Sequence, residues 1–136
     1  MYLSKRPSTK FNNKTTEFMG QRYDSKGEAG YAGELQQEKY AGIIVSWDRQ
    51  FKIDLRVNGK HITNYWMDFV VTMPDGSIDL REYKGLALPT WKLKWAILEA
   101  TLEEVGERYW PGKEIKMTVL WHNSKYRPKG KKWAGK

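Results

Sequence analysis

DFVVTMPDGSIDLREYKG, residues 68–85, is the stretch on which the reading of this chain turns. Two strand-like runs flank Pro74-Asp75-Gly76. Pro suits the first central position of a type I turn, Asp tolerates the second, and Gly supplies the left-handed residue of a G1 bulge. That makes a three-residue loop, so Met73 pairs with Ser77. Counting back two by two then sets Asp68 opposite Glu82, with their Cβ atoms ~5 Å apart on one face. A two-residue loop would place Asp68 opposite Tyr83, on the other face. The turn chemistry favours the first register, and Lys84, two residues beyond Glu82, shares its face.

Two carboxylates directly opposite each other repel and destabilise a plain sheet, whereas a divalent cation between them reverses the sign. Mg²⁺ takes oxygen ligands and is usually held by one or two carboxylates, with water and substrate phosphate completing the octahedron. Lys84 brings an ammonium to the same space, where it can stabilise developing charge on a phosphorane or orient or deprotonate the attacking water. Asp68, Glu82 and Lys84 thus form a kit for phosphodiester hydrolysis. The competing reading makes Asp68 a plain polar strand residue and Glu82–Lys84 an exposed ion pair worth ~0–1 kcal/mol.

The rest of the chain is consistent with one soluble domain. It has 136 residues, 40% hydrophobic and 29% charged, with no apolar run near the length of a membrane span and no apolar segment of a signal peptide at its start. It contains no cysteine, which excludes a disulfide scaffold and thiolate metal sites and is compatible with the cytoplasm. A net charge of +8 points to a polyanionic partner, with nucleic acid the usual one. Residues 1–22 read as a polar basic arm, 23–123 as the working domain and 124–136 as a basic tail. Lys125 and Arg127 in that tail are either phosphate contacts or part of a solvated end.

Ser25-Lys26-Gly27-Glu28 matches a capping box and starts a helix ending near Ala41-Gly42. Gly30 and Gly33, poor helix formers, suggest a close approach to another backbone. Ile43 to Trp47 and Phe51 to Val57 read as strands, with Arg49 and Gln50 in the turn between them as candidate DNA contacts. Asn58-Gly59 is a type I′ hairpin signal, with a return strand over roughly His61 to Met73. After Ser77 to Lys84, Trp91, Trp95, Leu98, Leu102 and Val105 form a helical stripe read as core or dimer interface. Lys92 and Lys94, at the start of that helix, are either phosphate contacts or solvated lysines. Ile115 to Trp121 is the last strand. The expected class is α/β, a single domain with a central mixed β-sheet flanked by helices in the order α-β-β-β-β-α-β. His61 and His122 have no ligand spacing, and core or surface roles suit them better than metal binding.

Asp68 followed after a short hairpin by Glu82-Tyr83-Lys84 resembles the signature of the PD-(D/E)xK nuclease superfamily. The likeness runs from Tyr23 to about Leu98 and is similar to small phage endonucleases related to archaeal-type Holliday junction resolvases. It implies a restriction-endonuclease-like fold and a third carboxylate on the preceding helix, where Glu28 stands. It also implies Mg²⁺ or Mn²⁺ as cofactor and a homodimer making symmetric nicks in branched DNA, a four-way junction. No small-molecule cofactor or membrane is expected, and a phage-encoded protein acting in the host cytoplasm fits. Met67 stands where the family's name has Pro, a position that varies across the superfamily. The rival functions are a flap, single-strand or restriction-type nuclease of the same superfamily, and a non-catalytic nucleic-acid-binding module.

Overall fold

The computed structural model describes residues 16–18, 21–23 and 26–122. The proposed cap Ser25, most of the N-terminal arm, and Lys125 and Arg127 of the tail lie outside them. In chain order the elements are β1 (Thr16–Phe18), β2 (Gln21–Tyr23), α1 (Lys26–Tyr40), β3 (Ser46–Val57), β4 (Lys60–Thr72), β5 (Ile78–Lys84), α2 (Pro89–Ala100), α3 (Leu102–Tyr109) and β6 (Ile115–Trp121). β1 and β2 pair with each other and lie against α1. The main sheet has the order β3-β4-β5-β6, antiparallel except for the parallel β5–β6 pair. The fold is α/β, a single mixed sheet flanked by helices.

Two apolar clusters show that both faces of the sheet are covered. Ala29, Ala32 and Leu35 of α1 pack with Ile44, Phe69 and Val71 on one face. Trp91, Trp95 and Leu98 of α2 and Val105 of α3 pack with Ile53, Leu55, Met67, Leu80 and Met117 on the other. The tryptophan stripe is therefore core. Its helix breaks at Thr101, whose hydroxyl bonds back to the Ile97 carbonyl at 2.8 Å while its amide reaches both Ile97 and Leu98. Such back-bonding by a β-branched residue bends helices, here separating α2 from α3.

The Pro-Asp-Gly turn closes as its chemistry dictates. The Met73 amide donates to the Ser77 carbonyl and the Gly76 amide to the Met73 carbonyl, both at 2.9 Å, and Gly76 has φ +89°. The ladder runs from Thr72↔Ile78 to Phe69↔Arg81, the register whose next pair is Asp68 and Glu82. Asn58 (φ 52°) and Gly59 (φ 79°) form the left-handed pair of the β3–β4 hairpin.

Two local expectations are corrected. The stretches 43–47 and 51–57 are not separated by a turn: β3 runs unbroken from Ser46, and Arg49 and Gln50 lie within it. Gln50 has φ 55°, and the pairing with β4 is kept on either side of it at Arg49↔Phe69 and Phe51↔Met67. Gly30 makes no close approach among the described residues, since a Cβ there would meet none of them within 4 Å. Gly27 of α1 is tight: an added Cβ there would collide with the Tyr83 hydroxyl and lie 3.0 Å from His122 Nδ1.

Candidate active site at a fork in the sheet

β4 has two neighbours along only part of its length. Its pairing with β5 stops at Phe69↔Arg81, while its pairing with β3 continues to Val57↔Lys60. β5 meanwhile stays paired with β6 as far as Lys84↔Trp121. The sheet therefore forks between Asp68 on β4 and Glu82 on β5. The faces exchange at the same point. Tyr65 and Met67 belong to the α2 side of the sheet, yet Phe69 and Val71, still odd-numbered, belong to the α1 side. On β3 the change falls between Trp47, on the α1 side, and Ile53 and Leu55, on the α2 side. Strict alternation would keep all odd residues on one face; the left-handed Gln50, opposite Asp68, is where β3 turns over.

Side chains take over where the ladder ends. Asp68 Oδ2 accepts the Tyr83 backbone N–H at 2.9 Å, and Asp68 Oδ1 accepts Gln50 Nε2 at 3.4 Å. The Tyr65 hydroxyl donates to Glu82 Oε1 at 2.8 Å, and Trp91 Nε1 donates to that hydroxyl at 2.8 Å. Lys84 Nζ lies 3.0 Å from Glu82 Oε2 and 5.1 Å over the Trp91 ring. Asp68 and Glu82 are each only 1% exposed. The Glu82–Lys84 pair is thus not a solvated surface ion pair. Burying a carboxylate costs several kcal/mol before its partners repay it, and an apolar pair of the same volume is often as stable. Stability alone gives little reason for this arrangement, and clustered buried charge beside an opening sheet is a mark of functional sites.

Burial, with the nearby charges of Glu82 and Asp68, holds the Tyr65 phenol well above the ordinary tyrosine range. Tyr65 accordingly remains a hydrogen-bond donor to Glu82 throughout the physiological range. Tyr83 is also raised, first by burial and then by the negative charges of Glu34 and Glu28. Its ring points toward α1, where its hydroxyl meets His122 Nδ1 at 2.7 Å. Glu28 sits buried in the first turn of α1, on the Tyr83 side of the fork.

The residues singled out in the sequence fall into two groups. Asp68, Glu82 and Lys84 meet at the fork, and Gln50 joins them as a buried residue rather than an exposed turn position. Arg49 is half-buried within β3, Lys92 is exposed, and Lys94 is half-buried with its ammonium 3.4 Å from the Asn64 carbonyl. Among the described residues no cluster of three or more His, Asp or Glu side chains stands in metal-holding geometry. Two carboxylates are nevertheless a sufficient protein share for Mg²⁺. Gln50 Oε1, a buried oxygen without a hydrogen-bond partner among the described residues, adds a third hard donor. The donor chemistry therefore fits a small divalent cation. Tyr65 and Trp91 were missed in the sequence because each reads as an apolar-face residue there; a phenol and an indole N–H are the only signal that they do more than pack.

No curated protein and no solved structure matches the chain. The family model described as "Protein of unknown function (DUF1064)" matches residues 8–128, and the chain belongs to that family.

Proposed function

We propose that this protein is a divalent-metal-dependent DNA endonuclease acting on branched DNA, a four-way junction resolvase in its most specific form. The observation that carries the reading is the pair of buried carboxylates, Asp68 and Glu82, facing a fork in the sheet with Lys84 on Glu82. Asp68 and Glu82 would hold Mg²⁺, with Mn²⁺ as a substitute, and the superfamily resemblance adds Glu28. The bound cation supplies charge neutralisation at the phosphate and a lower pKa for water. Lys84 keeps an ammonium at the site, tethered by Glu82 and the Trp91 face, where it offsets charge that grows on the phosphate oxygens during attack. Tyr65 fixes the orientation of Glu82, and the Tyr83 amide fixes that of Asp68. The net charge of +8 draws the DNA backbone to a site whose carboxylates would otherwise repel it.

The test is cleavage of a synthetic four-way junction with and without Mg²⁺, alongside flap, single-stranded and linear duplex DNA. Paired symmetric nicks in the junction, lost in Asp68→Asn and Glu82→Gln with binding retained, are the expected result. Preferential cutting of another substrate would reassign the enzyme within the nuclease superfamily. Salt-sensitive binding with no cutting under any metal would leave a nucleic-acid-binding module instead.

A further inference from the structure

Gln50 has three properties that are each unusual for a glutamine in a strand. It is 92% buried, its φ of 55° lies in the left-handed region, and its Oε1 has no hydrogen-bond partner among the described residues. Long side chains avoid that backbone region, and buried amides are nearly always satisfied. The two irregularities have one location. Arg49↔Phe69 and Phe51↔Met67 are regular pairs, and between them Gln50 faces Asp68 with its Nε2 3.4 Å from Asp68 Oδ1. A glycine or asparagine would relieve the backbone, and an apolar side chain would fill the space without an orphaned oxygen. Packing accounts for neither feature. Local strain and an unsatisfied buried acceptor beside a carboxylate are together the signs of a ligand position.

We propose that Gln50 is a cation ligand of the Asp68 site, contributing its amide oxygen, and that the left-handed backbone of β3 exists to set this amide beside Asp68. The inference rests on the nuclease reading, since it names a further residue for the same cation. Gln50 Nε2 bonds to Asp68 and so fixes which end of the amide is left over; the remaining oxygen is a hard, uncharged donor of the kind Mg²⁺ and Mn²⁺ accept. A neutral third ligand also spares the site a further negative charge in a buried setting that already holds Asp68 and Glu82.

Mn²⁺ binding to the full-length protein, measured by calorimetry and by the loss of the free-ion paramagnetic resonance signal, tests this without reference to cleavage. The variants are Gln50→Gly, Gln50→Asn and Gln50→Glu, with metal-free melting temperatures recorded for each. Gln50→Gly and Gln50→Asn tolerate the left-handed backbone; both should stay folded, as their metal-free melting curves report, yet bind Mn²⁺ about tenfold or more weakly. Gln50→Glu loses the N–H donor to Asp68 but keeps an oxygen. It should melt lower than wild type without metal and regain that loss on adding Mn²⁺, with affinity at least that of wild type. Wild-type affinity in both the Gly and Asn variants overturns the proposal while leaving the metal site standing. Loss of affinity in Gln50→Glu as complete as in Gln50→Gly also overturns it, because the amide N–H would then be the operative group. A wild-type protein that takes up no Mn²⁺ overturns this proposal together with the nuclease reading.

Discussion

Glu82 illustrates how much a single carboxylate depends on what surrounds it. Both of its oxygens are engaged, Oε1 by Tyr65 and Oε2 by Lys84, and Tyr65 is itself held by Trp91. The chain Trp91 to Tyr65 to Glu82 passes hydrogen bonds in one direction, each group donating to the next. Tyr65→Phe removes the middle link, leaving the Trp91 indole N–H and one Glu82 oxygen without that partner. Thermal unfolding should report a loss of ~1–3 kcal/mol. On the proposed nuclease reading, in which Tyr65 orients Glu82 without meeting DNA, single-turnover junction cleavage should fall about 10–100-fold with DNA affinity unchanged. A variant that loses stability but cleaves at the wild-type rate would reduce Tyr65 to packing. The left-handed Gln50 belongs to the same scale: such a conformation costs a non-glycine residue roughly 1–2 kcal/mol, which the rest of the sheet must absorb.

Among the elements, the first turn of α1 and the β5 strand are locked by contact. Gly27 lies against the Tyr83 hydroxyl, and Tyr83 through its backbone amide holds Asp68. Gly27→Ala gains ~1 kcal/mol of helix propensity but inserts a methyl where there is no room. The expected net effect is a destabilisation of about 1–2 kcal/mol by chemical denaturation, partly recovered in the Gly27→Ala/Tyr83→Phe double variant, which removes the atom that the methyl meets first. Simple additivity of the two substitutions would show that the helix shifts instead. The β4–β5 turn responds to acid. The Asp75 carboxylate, held below the ordinary range by hydrogen bonds from the Ser77 hydroxyl and amide, stabilises the turn when ionised. A depressed native pKa means that this contribution is full above about pH 4 and fades as the pH drops through the lowered value. The difference in melting temperature between wild type and Asp75→Ala should thus be constant from neutral pH to about 4 and shrink below it.

That turn is also the element most completely written in the sequence. Pro74, Asp75 and Gly76 each demand one backbone conformation, so loop length and register followed from local chemistry alone, although the ladder ends one pair short of Asp68 and Glu82. The hairpin at Asn58-Gly59 and the apolar stripe of α2 were legible for the same reason. The continuity of β3 was not, because Arg49-Gln50 interrupts the apolar alternation and so resembles a turn, while the pairing with β4 that carries the strand through it is a long-range contact that no local propensity encodes. Gly30 misled in a related way: it breaks helix propensity, yet an added Cβ there would meet no described residue within 4 Å, whereas Gly27, inside an apparent capping box, is under steric pressure. Tyr65 and Trp91 were hidden because their polar atoms occupy a small part of otherwise apolar side chains.

For the molecule as a whole, the fork separates two regimes of burial. Within the four-stranded part, β4 is covered on both faces, and Phe69, Val70 and Val71 are all buried. Beyond Asp68 the β3–β4 ribbon continues without β5, and its tip carries Arg56 and His61 around Asp54. No helix among the described residues is long and apolar enough to cross a membrane. The fork should also divide one strand into two units of hydrogen exchange. Amides of β4 at 69–72 sit between two neighbouring strands and can open only when the sheet itself opens, whereas those at 60–67 are tied to β3 alone. Native-state hydrogen exchange should therefore change abruptly at Asp68, slow on one side and faster on the other, although the chain there is one continuous strand. A gradient without a step would mean that the two regions breathe together. With the step, Asp68 and Glu82 stand at the boundary between a slowly exchanging block and a faster-exchanging ribbon within one strand.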